Sequence, residues 1–258
     1  MIPKIIHLCW LSGEPYPPLI DKCIESWKEK LPNYEIKIWN CDTFDIESVR
    51  WVKEAFAAKK YAFAADYIRF FALYNYGGIY LDSDVEVIKN FDCLLNNDCF
   101  WGFEYTGIPE AAVVASIPKM EWIKNCKDWY ESQSFYNEDG SMRQVVVPFL
   151  IKKEFEKYYN KRLFDCGKIQ HINNIKIFPY KYFSPKNFYS GKIKIYPETF
   201  CIHHSAASWV KDSLFTKIKR YMHIILIKIL GKRFHDICLI VIHDLKLNLR
   251  KRKNKSAF

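Results

Sequence analysis

Two carboxylates one residue apart, Asp82-Ser83-Asp84, directly follow the apolar segment Ile79-Tyr80-Leu81. In an extended chain side chains alternate, so Tyr80, Asp82 and Asp84 are expected on one face and Ser83 on the other. Two carboxylates beside a buried strand are costly without a counter-charge. A hard divalent cation, Mn²⁺ or Mg²⁺, bridging to phosphate oxygens would supply one. A polar turn is the plainer reading of the same residues. Upstream, Asp66 and Arg69 lie three apart and share one helical face. Their neighbours are mostly Ala, Phe, Leu and Tyr, which predicts a buried helix. A buried Asp–Arg pair is expensive unless it has a further partner, although a local ion pair would need none. A phosphate would suit the guanidinium and sugar hydroxyls the carboxylate. Late in the chain, His203-His204-Ser205-Ala206-Ala207-Ser208-Trp209 gathers imidazoles, hydroxyls and an indole after a short apolar segment. Adjacent strand residues point oppositely, so at most one of His203 and His204 can face a metal held by Asp84.

The elements that must position these residues are legible in the pattern. Lys4–Trp10 is a continuous, β-branched run that predicts a buried first strand, and Leu19, Cys23, Ile24 and Trp27 recur at helical spacing up to Pro32. Tyr34–Trp39 alternates as a second strand. Strand, helix, strand in so short a span predicts a βαβ unit and a parallel sheet. Helices are expected over 45–59 and 61–76, the second closed by Gly77-Gly78. Strands are expected at Ile79–Leu81, Val85–Ile88, 99–104, 111–116 and from Cys201, with helices near 119–132 and 145–159. Residues 160–200 read as short strands and loops.

The segment Ala64-Ala65-Asp66-Tyr67-Ile68-Arg69 … Leu73-Tyr74-Asn75-Tyr76-Gly77-Gly78-Ile79-Tyr80-Leu81-Asp82-Ser83-Asp84 closely resembles the sugar-binding, D-x-D region of glycosyltransferase family 32. Ile2–Trp10 resembles that family's first strand, and His203–Trp209 its closing motif. The resemblance implies a GT-A-type, Rossmann-related single α/β domain over residues 1–210 with a mainly parallel central sheet. It also implies a nucleotide-sugar donor, a divalent metal (Mn²⁺ or Mg²⁺) and transfer with retention. By position, Trp10 would stack on the base, Asp66 and Arg69 would bind the donor sugar and diphosphate, and Tyr80 and Asp82 would line the ribose and sugar. Asp84 would hold the metal with His203 or His204 beside it, and Ser208 and Trp209 would lie near the leaving phosphate. Asp82, Asp84 and Arg69 would thus carry the catalysis. Where family members often show Gly-Pro and a Thr-containing helix start, this chain has Val147-Pro148-Phe149-Leu150-Ile151. The expected reaction moves a sugar, from a UDP-sugar by preference, to a saccharide or lipid-linked saccharide in surface (capsular) polysaccharide assembly. The alternatives are a GDP-mannose-dependent mannosyltransferase and a non-catalytic sugar-nucleotide-binding homologue.

Composition bounds the rest. The chain has 258 residues, half of them apolar, and a net charge of +10. Residues 211–258 hold 13 Lys/Arg against Asp212, Asp236 and Asp244, so the whole excess sits there and the first 210 residues are neutral. A neutral body with no recognised module argues against a nucleic-acid binder, and Val85-Glu86-Val87 lacks the follow-on of a D-x-D phosphatase. Paired carboxylates also serve glycosidases, but the D-x-D spacing favours transfer. The nine cysteines form no C-x-x-C pair, which predicts mostly buried, reduced thiols. No signal-peptide pattern opens the chain, so a cytoplasmic protein is expected. Within 211–258, Leu214, Ile218, Tyr221, Ile225 and Ile229 recur at helical spacing, with Lys217, Arg220 and Lys228 off the stripe. Phe234, Cys238, Val241, Leu245 and Leu249 repeat the pattern before Arg250-Lys251-Arg252-Lys253-Asn254-Lys255. This basic amphipathic tail is expected to lie on an anionic membrane surface, on the inner face of the cell membrane. Simple packing of its helices on the body is the alternative.

Overall fold

The computed structural model describes residues 1–143, 145–205, 214–232, 234–235, 238 and 241, with backbone alone for 214–220. A seven-stranded sheet runs in the order β2-β1-β3-β6-β5-β8-β7. Its strands are β1 (Ile5–Cys9), β2 (Glu35–Trp39), β3 (Gly78–Leu81), β5 (Cys99–Phe103), β6 (Pro109–Ser116), β7 (Gln170–Ile172) and β8 (Ile175–Phe178). β1 pairs parallel with β2 and β3, β5 pairs parallel with β8, and β6 and β7 run against their neighbours. Five of the seven strands therefore share one direction. A two-stranded antiparallel ribbon joins β4 (Val85–Val87) to β9 (Cys201–His203).

Helices cover both faces, as a mainly parallel sheet requires. On one side α2 (Arg50–Ala57), α3 (Tyr61–Tyr76), α4 (Glu121–Glu131) and α5 (Val147–Tyr159) pack over Trp39, Tyr80, Trp101 and Val114. On the other, α1 (Pro18–Lys30) and the β4–β9 ribbon pack over Ile6, Leu8, Ile79, Leu81 and Phe100. The alternation along β3, with Ile79 and Leu81 on one face and Tyr80 on the other, is the period of two that the sequence shows. Pro17 and Pro18 open α1, where a missing N–H costs nothing, and Ile20, Cys23, Ile24 and Trp27 are its buried face.

The helix expected over 45–59 is interrupted. Asp45 caps a 3-10 turn, Ile46–Ser48, by accepting from the Glu47 N–H, and extended Val49 (φ −134°) separates that turn from α2. The expected burial of the thiols is only partly met: Cys23, Cys99, Cys126 and Cys201 are buried, Cys41 and Cys93 are exposed, and all nine are unpaired. Past the body, α6 (Leu214–Leu230) follows the basic-tail pattern. The tail's second stretch lies largely outside the described residues, as do Ser208 and Trp209.

Candidate active site

The α3–β3 junction delivers the first part of the site. Gly77 (φ +65°) ends α3 and Gly78 (φ +99°) begins β3 so close to β1 that a Cβ there would lie 2.6 Å from the Ile5 carbonyl. Only glycine takes both the positive φ and the close approach. His7 on β1 fastens the turn. It is fully buried, its Nδ1 accepts from the Trp39 indole (3.2 Å), and its Nε2 therefore donates to the Gly77 carbonyl (2.7 Å). Burial, with Lys37 nearby, holds its pKa down at about 4 against the pull of the Gly77 bond, so it is neutral.

Carried on this frame, Arg69 of α3 points at the end of β3. It is 4% exposed, and its Nη2 reaches Asp66 at 3.3 Å and Asp82 at 3.0 Å while Nη1 donates to the Ala111 carbonyl. Its guanidinium lies 4.5 Å from the centre of the Tyr80 ring. Burial works against the charge on Arg69, but Asp82, Tyr80 and Asp66 outweigh it and raise its pKa. Burial pushes the Asp66 carboxyl up to about 7, with Arg69 acting the other way. Tyr80, expected to line the donor, is instead 2% exposed beneath Arg69. Its strand parity turns the ring toward the core, where it supports the guanidinium.

The D-x-D geometry also differs from the expectation. Asp82 is not followed by extended chain: Ser83 and Asp84 form a turn, closed by the Val85 N–H donating to the Asp82 carbonyl at 3.0 Å. The two carboxylates converge because the chain bends between them, not because they alternate. β9 then supplies the third group. His203 pairs in register with Val85, and the His204 N–H donates to the Asp84 carbonyl at 3.0 Å. His203 Nε2 lies 3.5 Å from Asp84 Oδ1. One ligand atom each from Asp82, Asp84 and His203 falls within 4.8 Å of the others, a spacing that fits one small cation. His204 points away, to Glu86 at 2.9 Å, where Lys22 also pairs. Alternation thus assigns the inward position to His203.

Two acidic residues at this site carry no signal in the sequence motifs. Glu110, fully buried at the start of β6, has Oε2 3.3 Å from His203 Nδ1 and accepts the Ser184 hydroxyl. Glu104 sits on the β5–β6 turn; burial, then the charge of Glu110, pushes its carboxyl up to about 8. Burial opposes a charge on His203, yet Glu110, with Asp84 and Asp82 behind it, raises its pKa to about 10. The one available signal was an acidic residue heading the apolar run Ala111–Ala115, where a solitary carboxylate would otherwise be unplaced.

Beside the carboxylates, Cys9 lies close enough to Arg69 and Asp82 for both charges to act on its thiol. The next residue, Trp10, opens a cleft of about 550 Å³ lined by Ser12, Tyr16, Asn40, Phe56 and Tyr61 among others. Trp10 donates its indole N–H to the Glu14 carbonyl at 2.8 Å and meets the Tyr16 ring edge-on at 4.9 Å. The rings of Trp10, Tyr16, Phe56 and Tyr61 contribute to its lining.

A two-faced α/β sheet with a D-x-D turn at the end of an inner strand, and an Asp–Arg pair on the preceding helix, is the framework of a sugar-transferring enzyme of GT-A type. The comparisons agree. Residues 17–101 match the family described as "Glycosyltransferase sugar-binding region containing DXD motif". The chain is 25% identical to an uncharacterized glycosyltransferase of Acanthamoeba polyphaga mimivirus over 229 residues, 84% of this chain and 88% of that one. It is 32% identical to a mannosyl phosphorylinositol ceramide synthase of Saccharomyces cerevisiae over half of this chain, and 34% identical to an inositol phosphoceramide mannosyltransferase of Schizosaccharomyces pombe over 37% of it. The matches span only 38% and 28% of those two fungal proteins. Among solved structures, the PaToxG glycosyltransferase shares the fold, with a TM-score of 0.50 at 20% identity over 62% of this chain and 70% of that one. The chain is a glycosyltransferase that carries the DXD sugar-binding region.

Proposed function

We propose that this glycosyltransferase is metal-dependent and retaining, and moves a sugar from a UDP-sugar to a saccharide or lipid-linked saccharide in surface polysaccharide assembly, consistent with family 32. The observation that carries the reading is the convergence of Asp82, Asp84 and His203 within 4.8 Å beside the Arg69–Asp66 pair. Two carboxylates suit Mn²⁺ or Mg²⁺, and the imidazole nitrogen tilts the set toward Mn²⁺. Bound there, the cation would neutralise the charge that develops on the leaving diphosphate.

The chain's own groups do the rest. Asp66, 15% exposed at its side chain, is fixed by Arg69 with an oxygen left for sugar hydroxyls. Arg69 holds Asp82 in place and offers positive charge near the diphosphate. Trp10 and the cleft behind it take the base; Ser208 and Trp209, outside the described residues, are assigned to the leaving phosphate by the family resemblance alone. The acceptor hydroxyl attacks from the leaving-group side, so no covalent nucleophile is assigned. Residues 1–210 form the catalytic unit and 211–258 hold it, from the cytoplasm, on the inner face of the cell membrane.

The names of the fungal relatives favour a second reading in which the donor is GDP-mannose. Nucleotide release from a panel of UDP- and GDP-sugars, with Mn²⁺ and then with chelator, separates the two. Asp84→Asn is expected to abolish Mn²⁺-dependent turnover while the thermal unfolding midpoint is kept. Near wild-type turnover by that variant would overturn the cation site.

A further inference from the structure

Glu110 is a carboxylate with no exposed surface, and burial of this kind is tolerated only where every lone pair is used. Its Oε1 accepts from the Ala112 N–H at 2.8 Å. Its Oε2 accepts the Ser184 hydroxyl and faces His203 Nδ1 at 3.3 Å. Three elements that are distant in sequence meet here: β6, the loop after the Tyr180–Tyr182 turn, and β9. The backbone binds the last two together, since the His203 N–H donates to the Phe183 carbonyl at 3.2 Å, one residue before Ser184.

The two ring nitrogens of His203 therefore have different surroundings. Nε2 faces Asp84 at 3.5 Å and belongs to the three-residue cluster; Nδ1 faces Glu110. An imidazole that ligates through Nε2 must present a lone pair there and carry its proton on Nδ1, and that proton requires an acceptor. We propose that Glu110 is a positioning residue: by accepting the Nδ1 proton of His203 it fixes the tautomer and ring angle with which Nε2 meets a divalent cation. Ser184 and the Ala112 N–H in turn hold the carboxylate still. Such carboxylate–histidine pairs set both ligand basicity and orientation. The inference rests on the Asp82–Asp84–His203 cation site proposed above.

A pair that merely tied β9 to the sheet would change stability and leave cation affinity alone, which makes the two roles separable. The experiment measures Mn²⁺ binding to the full chain by titration calorimetry, and the electron paramagnetic resonance spectrum of bound Mn²⁺. The proteins are wild type, Glu110→Gln, His203→Gln and the double variant. Glu110→Gln is expected to weaken Mn²⁺ by about 10–100-fold and to alter the spectrum. In the His203→Gln background the same substitution is expected to cost nothing further, because the carboxylate acts only through the imidazole. Should Glu110→Gln not fold, Ser184→Ala loosens the same carboxylate, and a smaller loss of affinity that vanishes in the His203→Gln background is expected. Wild-type affinity in these variants, or a loss that persists undiminished without His203, overturns the inference alone. Absence of Mn²⁺ binding by the wild-type chain overturns the cation site and the inference with it.

Discussion

At the scale of single residues, Arg69 is the group on which most of the site depends. One guanidinium holds Asp66, Asp82 and the Ala111 carbonyl and rests on the Tyr80 ring. Exchanging Asp66 and Arg69 could not restore such an arrangement, since the exchanged carboxylate would face Asp82 and the new guanidinium would lose the Ala111 carbonyl. Removal of the charge is the cleaner test. Arg69→Ala leaves Asp66 and Asp82 facing each other in a largely buried setting, and breaking a buried pair in this way costs about 3–5 kcal/mol. Part of that loss is expected to return in the Arg69→Ala/Asp82→Asn double variant, because one of the two orphaned charges is gone. Urea unfolding of wild type, Arg69→Ala and the double variant measures it. Equal stability of Arg69→Ala and wild type would show that the guanidinium is not what holds the carboxylates.

At the scale of elements, the chemistry is positioned by two junctions, and they differ in how far the sequence reveals them. The α3–Gly77–Gly78–β3 junction is local: helix periodicity, a glycine pair and a short apolar strand are all read from adjacent residues, and the structure follows that reading closely. The β4–β9 junction is not, because nothing local announces that Val85 pairs with His203 more than a hundred residues later. The sequence could therefore narrow the metal-facing group to one of two histidines but not choose between them. It could not place Glu110 at all, whose partner Ser184 comes from a third segment. The turn at Ser83–Asp84 was likewise hidden, since an apolar strand on both sides reads as continuous extension. The first junction makes its own prediction. His7 is neutral in the folded state, with its pKa lowered to about 4 from 6.5. Unfolded chains therefore bind more protons between those values, and stability that is full above pH 6.5 is lost as pH falls through 4. The loss attributable to His7 is about 3 kcal/mol. Asp66 and His203, whose raised pKa values act in the opposite sense, are common to wild type and a His7→Gln variant and cancel in the comparison. Unfolding free energies at pH 7 and pH 4 are expected to fall further in wild type than in the variant by that amount, and parallel pH dependences would refute it.

At the scale of the whole molecule, residues 1–210 are neutral and residues 211–258 hold the entire net charge. The described part of this segment touches the body and also carries exposed apolar side chains. His223 of α6 stacks on Tyr189 at 4.9 Å and hydrogen-bonds His235 at 2.9 Å, while Lys232 sits 4.8 Å over Tyr105 and 4.7 Å over Tyr180. Tyr105 follows Glu104 on the β5–β6 turn, so Lys232 reaches the turn that carries that carboxyl. α6 thus packs on the body through His223, while Tyr221, Met222, Ile225, Leu226, Ile229 and Leu230 remain exposed. Among the described residues no helix is long and apolar enough to cross a membrane. An exposed apolar stripe on a strongly basic segment is the pattern of a helix lying in the interface, where each near-surface Lys or Arg adds about 1 kcal/mol on anionic lipid. An enzyme with a lipid-linked acceptor would gain by being held in the plane where that acceptor diffuses. Because Ile225 and Ile229 are exposed, Ile225→Glu/Ile229→Glu in the full chain removes the stripe without touching the core. Wild type is expected to co-sediment with anionic vesicles, to be released by salt as charges are screened over about 8 Å at physiological ionic strength, and to ignore neutral vesicles. The double variant is expected to lose most of that binding and to keep its turnover on a soluble acceptor. Equal sedimentation on both vesicle types, or no loss in the variant, would leave α6 as a packing helix with no membrane role.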